Sequence, residues 1–230
     1  MHIPKAVKII SYPNSDLEVP IKKVIKNRFQ EEYNWLNAEA ACLVAREYGI
    51  KTEDIIDGLT SFPSVAGRLE EIKNDKGIKI YIDFAHTPNA LKSVLTELKK
   101  RSKGKLISVF GCAGERDKKK RPLMGKISTE IADTSVITSE DPRNEKPENI
   151  FEEITSEIKD DKKYVLIPER GEAIAFAIQK LAKKGDTVVF CGKGHEKSMA
   201  YKGVEYPWSD YEAVRVALKG GVKKLKRNEK

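Results

Sequence analysis

Four short segments of this 230-residue chain concentrate side chains that do chemistry. The first is Asp83-Phe84-Ala85-His86-Thr87-Pro88. An acid and an imidazole run into Thr-Pro, a helix start in which Thr caps and Pro at the first position loses no needed hydrogen bond. A helix N-terminus attracts anions and phosphate. Standing alone, Asp83 is as often a helix-start residue and His86 a packed side chain. The second runs from Gly111 to Pro122, a turn with Gly111 and Gly114 followed by Arg116 and a dense set of cations. Small residues admit close backbone approach, and the cations suit phosphate or carboxylate. A polar loop entering a solvated basic helix explains it equally well. The third is Glu140-Asp141-Pro142-Arg143. An arginine among acids is more often a local salt bridge, worth little at a surface, but its fork of donors also reads carboxylates. The fourth, Gly192-Lys193-Gly194-His195-Glu196, sets two glycines around a cation ahead of an imidazole and a carboxylate. It suits acid–base work or ammonium recognition, against a glycine-rich turn whose His195 simply caps.

The elements that must position these segments follow from pattern. Strands are expected at Ile78–Asp83, Lys105–Phe110, Thr134–Thr138, Tyr164–Ile167 and Thr187–Cys191. Helices are expected from Thr87-Pro88 to about Arg101, at Lys119–Ile131, Pro147–Lys159 and Gly171–Lys184, and at Ser209–Leu218. Repeated strand–helix units with apolar strands predict an α/β fold, a mostly parallel sheet with helices on both faces. Ligands bind such sheets beyond the carboxyl ends of the strands, and all four segments follow a strand. Ahead of the sheet, a helix is expected over Asn34–Glu47, ended by Gly49, and a second over Thr52–Leu59 opened by Thr52. Residues 1–30 read as a loop or edge strands, punctuated by Ile3-Pro4, Tyr12-Pro13-Asn14-Ser15 and Val19-Pro20. A boundary near Ala66-Gly67-Arg68 divides the chain into 1–66 and 67–230.

Composition narrows the class. The chain is 40% hydrophobic and 34% charged, which fits a globular protein. No run approaches the roughly 20 apolar residues of a membrane span, and Met1-His2-Ile3-Pro4-Lys5 leads into no long apolar run, against a secretory signal. Three widely spaced cysteines, Cys42, Cys112 and Cys191, argue against a disulfide framework or zinc ribbon and suit a reducing cytoplasm. The net charge of +8 sits at the ends. Residues 1–30 hold six basic and two acidic side chains, residues 219–230 six and one, so the body between is near neutral and offers no nucleic-acid face by charge count. The Walker A pattern is absent, since no Gly-Lys pair has the required upstream glycine, and no Gly-x-Gly-x-x-Gly follows the first strand.

Taken in order, Gly67-Arg68-Leu69-Glu70, Asp83 to Pro88, Gly111 to Pro122, Asp141-Pro142-Arg143, Gly192 to Glu196 and Ser209-Asp210 resemble the C-terminal part of a Mur ligase, closest to the MurE type. The resemblance covers roughly residues 32–218, with Tyr33-Asn34-Trp35-Leu36-Asn37-Ala38 similar to the end of that family's central, ATP-binding domain. It implies that residues 1–66 are a remnant of that domain and 67–230 the Rossmann-like third domain with a basic tail. It implies ATP-dependent amide formation: a UDP-N-acetylmuramoyl dipeptide carboxylate is activated as an acyl phosphate and attacked by the amine of meso-diaminopimelate or lysine, in cytoplasmic peptidoglycan synthesis. It places Asn37, Arg68, Asp83 and His86 near the nucleotide. Arg116, Asp141, Arg143, Gly192 and Glu196 would hold the amino acid, Gly192 and Glu196 taking its distal ammonium. No catalytic residue and no metal ligand is assigned.

Two departures stand out. The family's Asp-Asn-Pro-Arg is Glu140-Asp141-Pro142-Arg143 here. Arg143 favours meso-diaminopimelate, whereas the charge on Asp141 leaves lysine open. The UDP-binding domain, the phosphate-binding loop and the residues that handle Mg2+ have no counterpart in these 230 residues, so ATP-dependent ligation by this chain alone is not expected. A complementary chain supplying the ATP-binding domain is one resolution. A free-standing module that binds diaminopimelate, a muropeptide or a partner protein is the alternative. A polyglutamate- or cyanophycin-type ligase is disfavoured by the pairing of Asp-Pro-Arg with Gly-Lys-Gly-His-Glu.

Overall fold

The computed structural model describes residues 10–226 apart from 12, 14, 15, 30 and 64, and the chain divides into two units, Met1–Pro63 and Ser64–Lys230. The Ile3-Pro4 step, most of Tyr12–Ser15 and the last four residues of the basic tail lie outside the described residues.

In the first unit, α1 (Val19–Arg28), α2 (Glu32–Glu47) and α3 (Thr52–Ser61) enclose a small core of Leu17, Ile21, Ile25, Ala38, Cys42, Leu43 and Ile55. The helix α1 corrects the loop-or-strand reading. Pro20 falls in the first turn, where no backbone bond is lost, and Ile21 and Ile25 then bury one face at helical spacing. Gly49, at φ +76°, ends α2 as expected, and Ile50 N–H closes on the Ala45 carbonyl at 3.1 Å. Thr52 does not cap α3. The cap position is Lys51, and no side chain bonds there.

In the second unit, β1 (Glu70–Glu71), β2 (Lys79–Asp83), β3 (Leu106–Phe110), β4 (Thr134–Ile137), β5 (Tyr164–Leu166) and β6 (Thr187–Cys191) form one sheet in the order β1-β2-β6-β3-β4-β5. All neighbours are parallel except β1, which pairs antiparallel with β2. Helices α4 (Pro88–Arg101), α5 (Lys120–Ile131) and α6 (Pro147–Thr155) cover one face. There Leu91, Leu95, Met124 and Ile154 pack on Leu106, Phe110 and Val189. The other face carries α7 (Arg170–Phe176), which continues as a π-helical turn Ala177–Leu181, and α8 (Asp210–Leu218), packed on Ile80, Ile82, Val109, Val188 and Phe190. Alternate strand residues thus feed two cores, which is why the strands read as continuously apolar. A hairpin of β7 (Ser198–Tyr201) and β8 (Val204–Pro207) precedes α8.

Strand order decides what the loops can do. The last strand, β6, inserts between β2 and β3. The loops that follow β2, β6, β3 and β4 are therefore neighbours at one end of the sheet, in register from Asp83 beside Cys191 to Phe110 beside Ile137.

Candidate functional site

The helix start after β2 is built as its sequence dictates. Thr87 Oγ1 accepts from Ala90 N–H at 3.3 Å, and Pro88 opens α4. Asp83 is buried, and its carboxylate accepts from Leu69 N–H at 2.6 Å and Ala85 N–H at 2.7 Å. It thereby ties the Gly67-Arg68-Leu69 turn to the strand end. Gly67, at φ +68°, lies where a Cβ would strike the backbone of Gly194 and His195, so the two turns meet face to face. Arg68 Cζ stands 4.8 Å over the Phe84 ring, and Phe84 contacts His86 at 4.6 Å and His195 at 5.4 Å between ring centroids. Arg68, Phe84, His86 and His195 form a cation–aromatic cluster beside the N-terminus of α4. His195 does not cap; its ring is part of that cluster.

The other three loops are knotted around a lysine. Lys193, 1% exposed, donates to Asp141 Oδ1 at 2.8 Å and Oδ2 at 2.9 Å, and pairs with Glu196 Oε2 at 2.6 Å. Asp141 also accepts from Ala200 N–H through Oδ1 and from Gly114 N–H through its carbonyl, each at 2.9 Å. The loops after β3, β4 and β6 and the hairpin strand β7 are joined through these two residues. Arg143 is held by its backbone, N–H to the Ala200 carbonyl at 3.0 Å and carbonyl from Lys202 N–H at 2.7 Å. Its guanidinium has no hydrogen bond or ion pair among the described residues, and Nε is buried without a partner. The local salt bridge read from its acidic neighbours is thus not made. Arg116 is exposed and likewise unpaired, on a loop pinned to the Asp141 loop by Glu115 N–H to Glu145 at 2.5 Å and Asn144 to Glu115 at 2.9 Å. Glu115, Asp141 and Arg143 all take positive φ, between 40° and 55°, a conformation costly for residues with a Cβ and one that clusters at functional sites.

Behind the knot sits Glu140, 6% exposed, with Oε2 unpartnered. Burial pushes its carboxyl up to about 7, against the opposing pull of Arg170, Lys120 and Lys193. Gly192, at φ +105°, presses against that carboxylate; a Cβ there would overlap Glu140 Oε2. Part of the basic run is structural. Arg121, fully buried, donates to Glu145, Glu153 and the Ala113 carbonyl, and its bond to Glu145 leads the causes that draw that carboxyl down to about 2. Lys120 donates to the His86 carbonyl at 2.7 Å. Burial pushes the Cys112 thiol up to about 12 and raises Cys191 as well, so neither is an activated nucleophile. Cys191 is the last residue of β6. Asn37 lies exposed on α2 of the first unit. Among the described residues no group of three or more His, Cys, Asp or Glu could hold a metal ion. No helix is long and apolar enough to cross a membrane, again among the described residues.

Sequence reasoning singled out the loops but not Glu140 or Phe84, and it did not foresee that Lys193 is buried. The two glycines flanking Lys193 were the available signal, since they admit the packing that covers it.

Residues 67–194 match the family described as Mur ligase, glutamate ligase domain. The chain belongs to this family. A UDP-N-acetylmuramoyl-L-alanyl-D-glutamate–2,6-diaminopimelate ligase of Aquifex aeolicus is 43% identical over 189 residues, covering 82% of this chain and 39% of that protein. The ligase of the same description from Clostridioides difficile is 43% identical over 187 residues, covering 81% and 38%. A solved structure of such a diaminopimelate ligase superposes with a TM-score of 0.64 at 36% identity, over 80% of this chain and 38% of that one. The MurF ligase of Thermotoga maritima in complex with ADP gives 0.54 at 26% identity, over 82% and 38%. This Mur ligase chain therefore spans about two fifths of the length of the relatives it matches.

Proposed function

We propose that this chain carries the amino-acid-binding part of a MurE-type ligase, which joins meso-diaminopimelate to a UDP-N-acetylmuramoyl dipeptide in cytoplasmic peptidoglycan synthesis. The observation that carries this reading is the knot of three loops on Lys193 and Asp141, with the guanidinium groups of Arg116 and Arg143, on those same loops, unpaired among the described residues. Unpaired arginine forks suit carboxylates. Glu196 and the backbone at Gly192 supply acceptors for an ammonium. The distal end of meso-diaminopimelate bears one of each group, whereas that of lysine bears an ammonium only. Arg143, with no ion pair among the described residues, favours the former.

In this reading residues 1–66, which include the helical unit, are the end of the family's central domain. ATP activates the dipeptide carboxylate, and this chain's own residues hold and orient the attacking amino acid. Arg68, Asp83 and His86 border the nucleotide. Arg68 brings a positive charge stacked on Phe84, Asp83 fixes the turn that presents it, and the N-terminus of α4 faces the same place. That edge fits a nucleotide, but the described residues contain no donor set for Mg2+, so the metal and the phosphate-binding loop are assigned to another part of a longer protein or to a complementary chain.

Calorimetric titration tests the reading. Meso-diaminopimelate should bind and, at 100 times its dissociation constant, stabilise the chain by about 2.7 kcal/mol. Arg143→Ala should remove the preference over lysine. Mixing with a chain that bears the phosphate-binding loop should yield amide and ADP. Absence of binding by either amino acid, together with no amide in the mixture, would overturn it.

A further inference from the structure

Glu196 is the acid assigned to the ligand's distal ammonium, yet an ammonium already occupies it: Lys193 Nζ, at 2.6 Å. Asp141 is likewise already engaged by protein donors. Oδ1 takes Lys193 and Ala200 N–H, and Oδ2 takes Lys193. An ammonium has three N–H donors. Lys193 spends them on two carboxylates, one of them on a partly buried residue held by backbone bonds and the other on a side chain that is 37% exposed. Only the second can be handed to an incoming group.

Resting on the amino-acid reading above, we propose that Lys193 is an internal stand-in for the ligand's distal ammonium, and that Asp141 is a positioning residue that lets it yield. When ligand arrives, its ammonium replaces Nζ at Glu196, and Lys193 remains neutralised by Asp141. A buried lysine left without a counter-charge is strongly unfavourable, so without the charge on Asp141 the pair Lys193–Glu196 could not open at low cost. In this step the acid at position 141 acts through Lys193. This explains why Asp141 tolerates a positive φ: its backbone and side chain are both fixed by partners on three other segments.

The test is a set of titrations with three ligands. Meso-diaminopimelate and lysine carry the distal ammonium; 2-aminopimelate keeps the distal carboxylate and lacks it. Asp141→Asn should weaken the two ammonium ligands about tenfold, the effect of one lost charge contact, and leave 2-aminopimelate nearly unchanged. Lys193→Met should act oppositely, strengthening the ammonium ligands relative to 2-aminopimelate, because the competing cation is gone. If Lys193→Met does not fold, Glu196→Gln carries the second arm and should abolish the preference for meso-diaminopimelate over 2-aminopimelate. A merely structural knot would weaken all three ligands alike in Asp141→Asn, and that result overturns the proposal while leaving the amino-acid reading intact. No binding of any ligand to the unsubstituted chain overturns both.

Discussion

At the scale of single residues, the unusual groups are those that burial forces into unusual states. Glu140 titrates near 7 because it is buried with one oxygen unpartnered. An unfolded glutamate titrates near 4.3, so between these values the folded chain binds a proton that the unfolded chain does not. Stability from this group is therefore greatest at low pH and falls as pH rises towards 7, by about 3–4 kcal/mol in all. Glu140→Gln, neutral at every pH, should melt close to the unsubstituted chain at pH 5 and above it at pH 8. A gap that does not widen with pH, read from thermal denaturation, would contradict this. Gly192 is required for the same reason. Gly192→Ala meets both the left-handed φ of +105° and the Glu140 carboxylate, and should lose about 1–3 kcal/mol in denaturant unfolding. Combining it with Glu140→Ala should recover part of that loss, because the obstruction then goes while the φ strain stays.

At the scale of elements, the two helices that follow the sheet's far face are locked to it by one buried pair. Arg170, at the start of α7, donates to Asp210 Oδ1 at 2.8 Å and Oδ2 at 2.6 Å at the start of α8, and to the Cys191 carbonyl at 3.0 Å. Asp210 also accepts from Trp208 Nε1 at 2.8 Å. Arg170→Met strands Asp210 in a fully buried position and should lose about 3–5 kcal/mol, whereas the paired change to Met and Leu should recover much of it. Chemical denaturation of the three variants checks this. Such cross-links were not legible in the sequence, since Arg170 and Asp210 lie 40 residues apart and each looks like a surface residue at a helix start. The strand–helix alternation was legible, because apolar strands and the Thr87-Pro88 cap are local signals. The hairpin was not. Its two-residue turn, Lys202-Gly203, takes φ of +47° and +73°, the geometry usually marked by Asn-Gly. Strand β1 carries only Glu70-Glu71, with no apolar alternation to betray it. The four site loops were identified from composition, but their adjacency depends on β6 inserting between β2 and β3, a long-range choice that no local pattern encodes.

At the scale of the whole molecule, the two units have separate cores of very different size. Among the described residues, the second has two extensive clusters, one on each face of its sheet, and the first has one cluster of seven buried apolar residues. A unit of about 60 residues with so small a core is marginal, whereas one of about 165 residues is not. Calorimetry should therefore resolve two transitions, the smaller at lower temperature. At roughly 0.7 kcal/mol per residue near 60 °C their enthalpies should be about 45 and 115 kcal/mol. Every residue assigned to the amino acid (Arg116, Asp141, Arg143, Gly192 and Glu196) lies in the second unit. Binding of meso-diaminopimelate should then raise the upper transition and leave the lower one in place, because a ligand stabilises only the unit that holds it. A shift of both transitions together would mean that the units unfold as one, and a shift of the lower alone would move the amino-acid site out of the sheet.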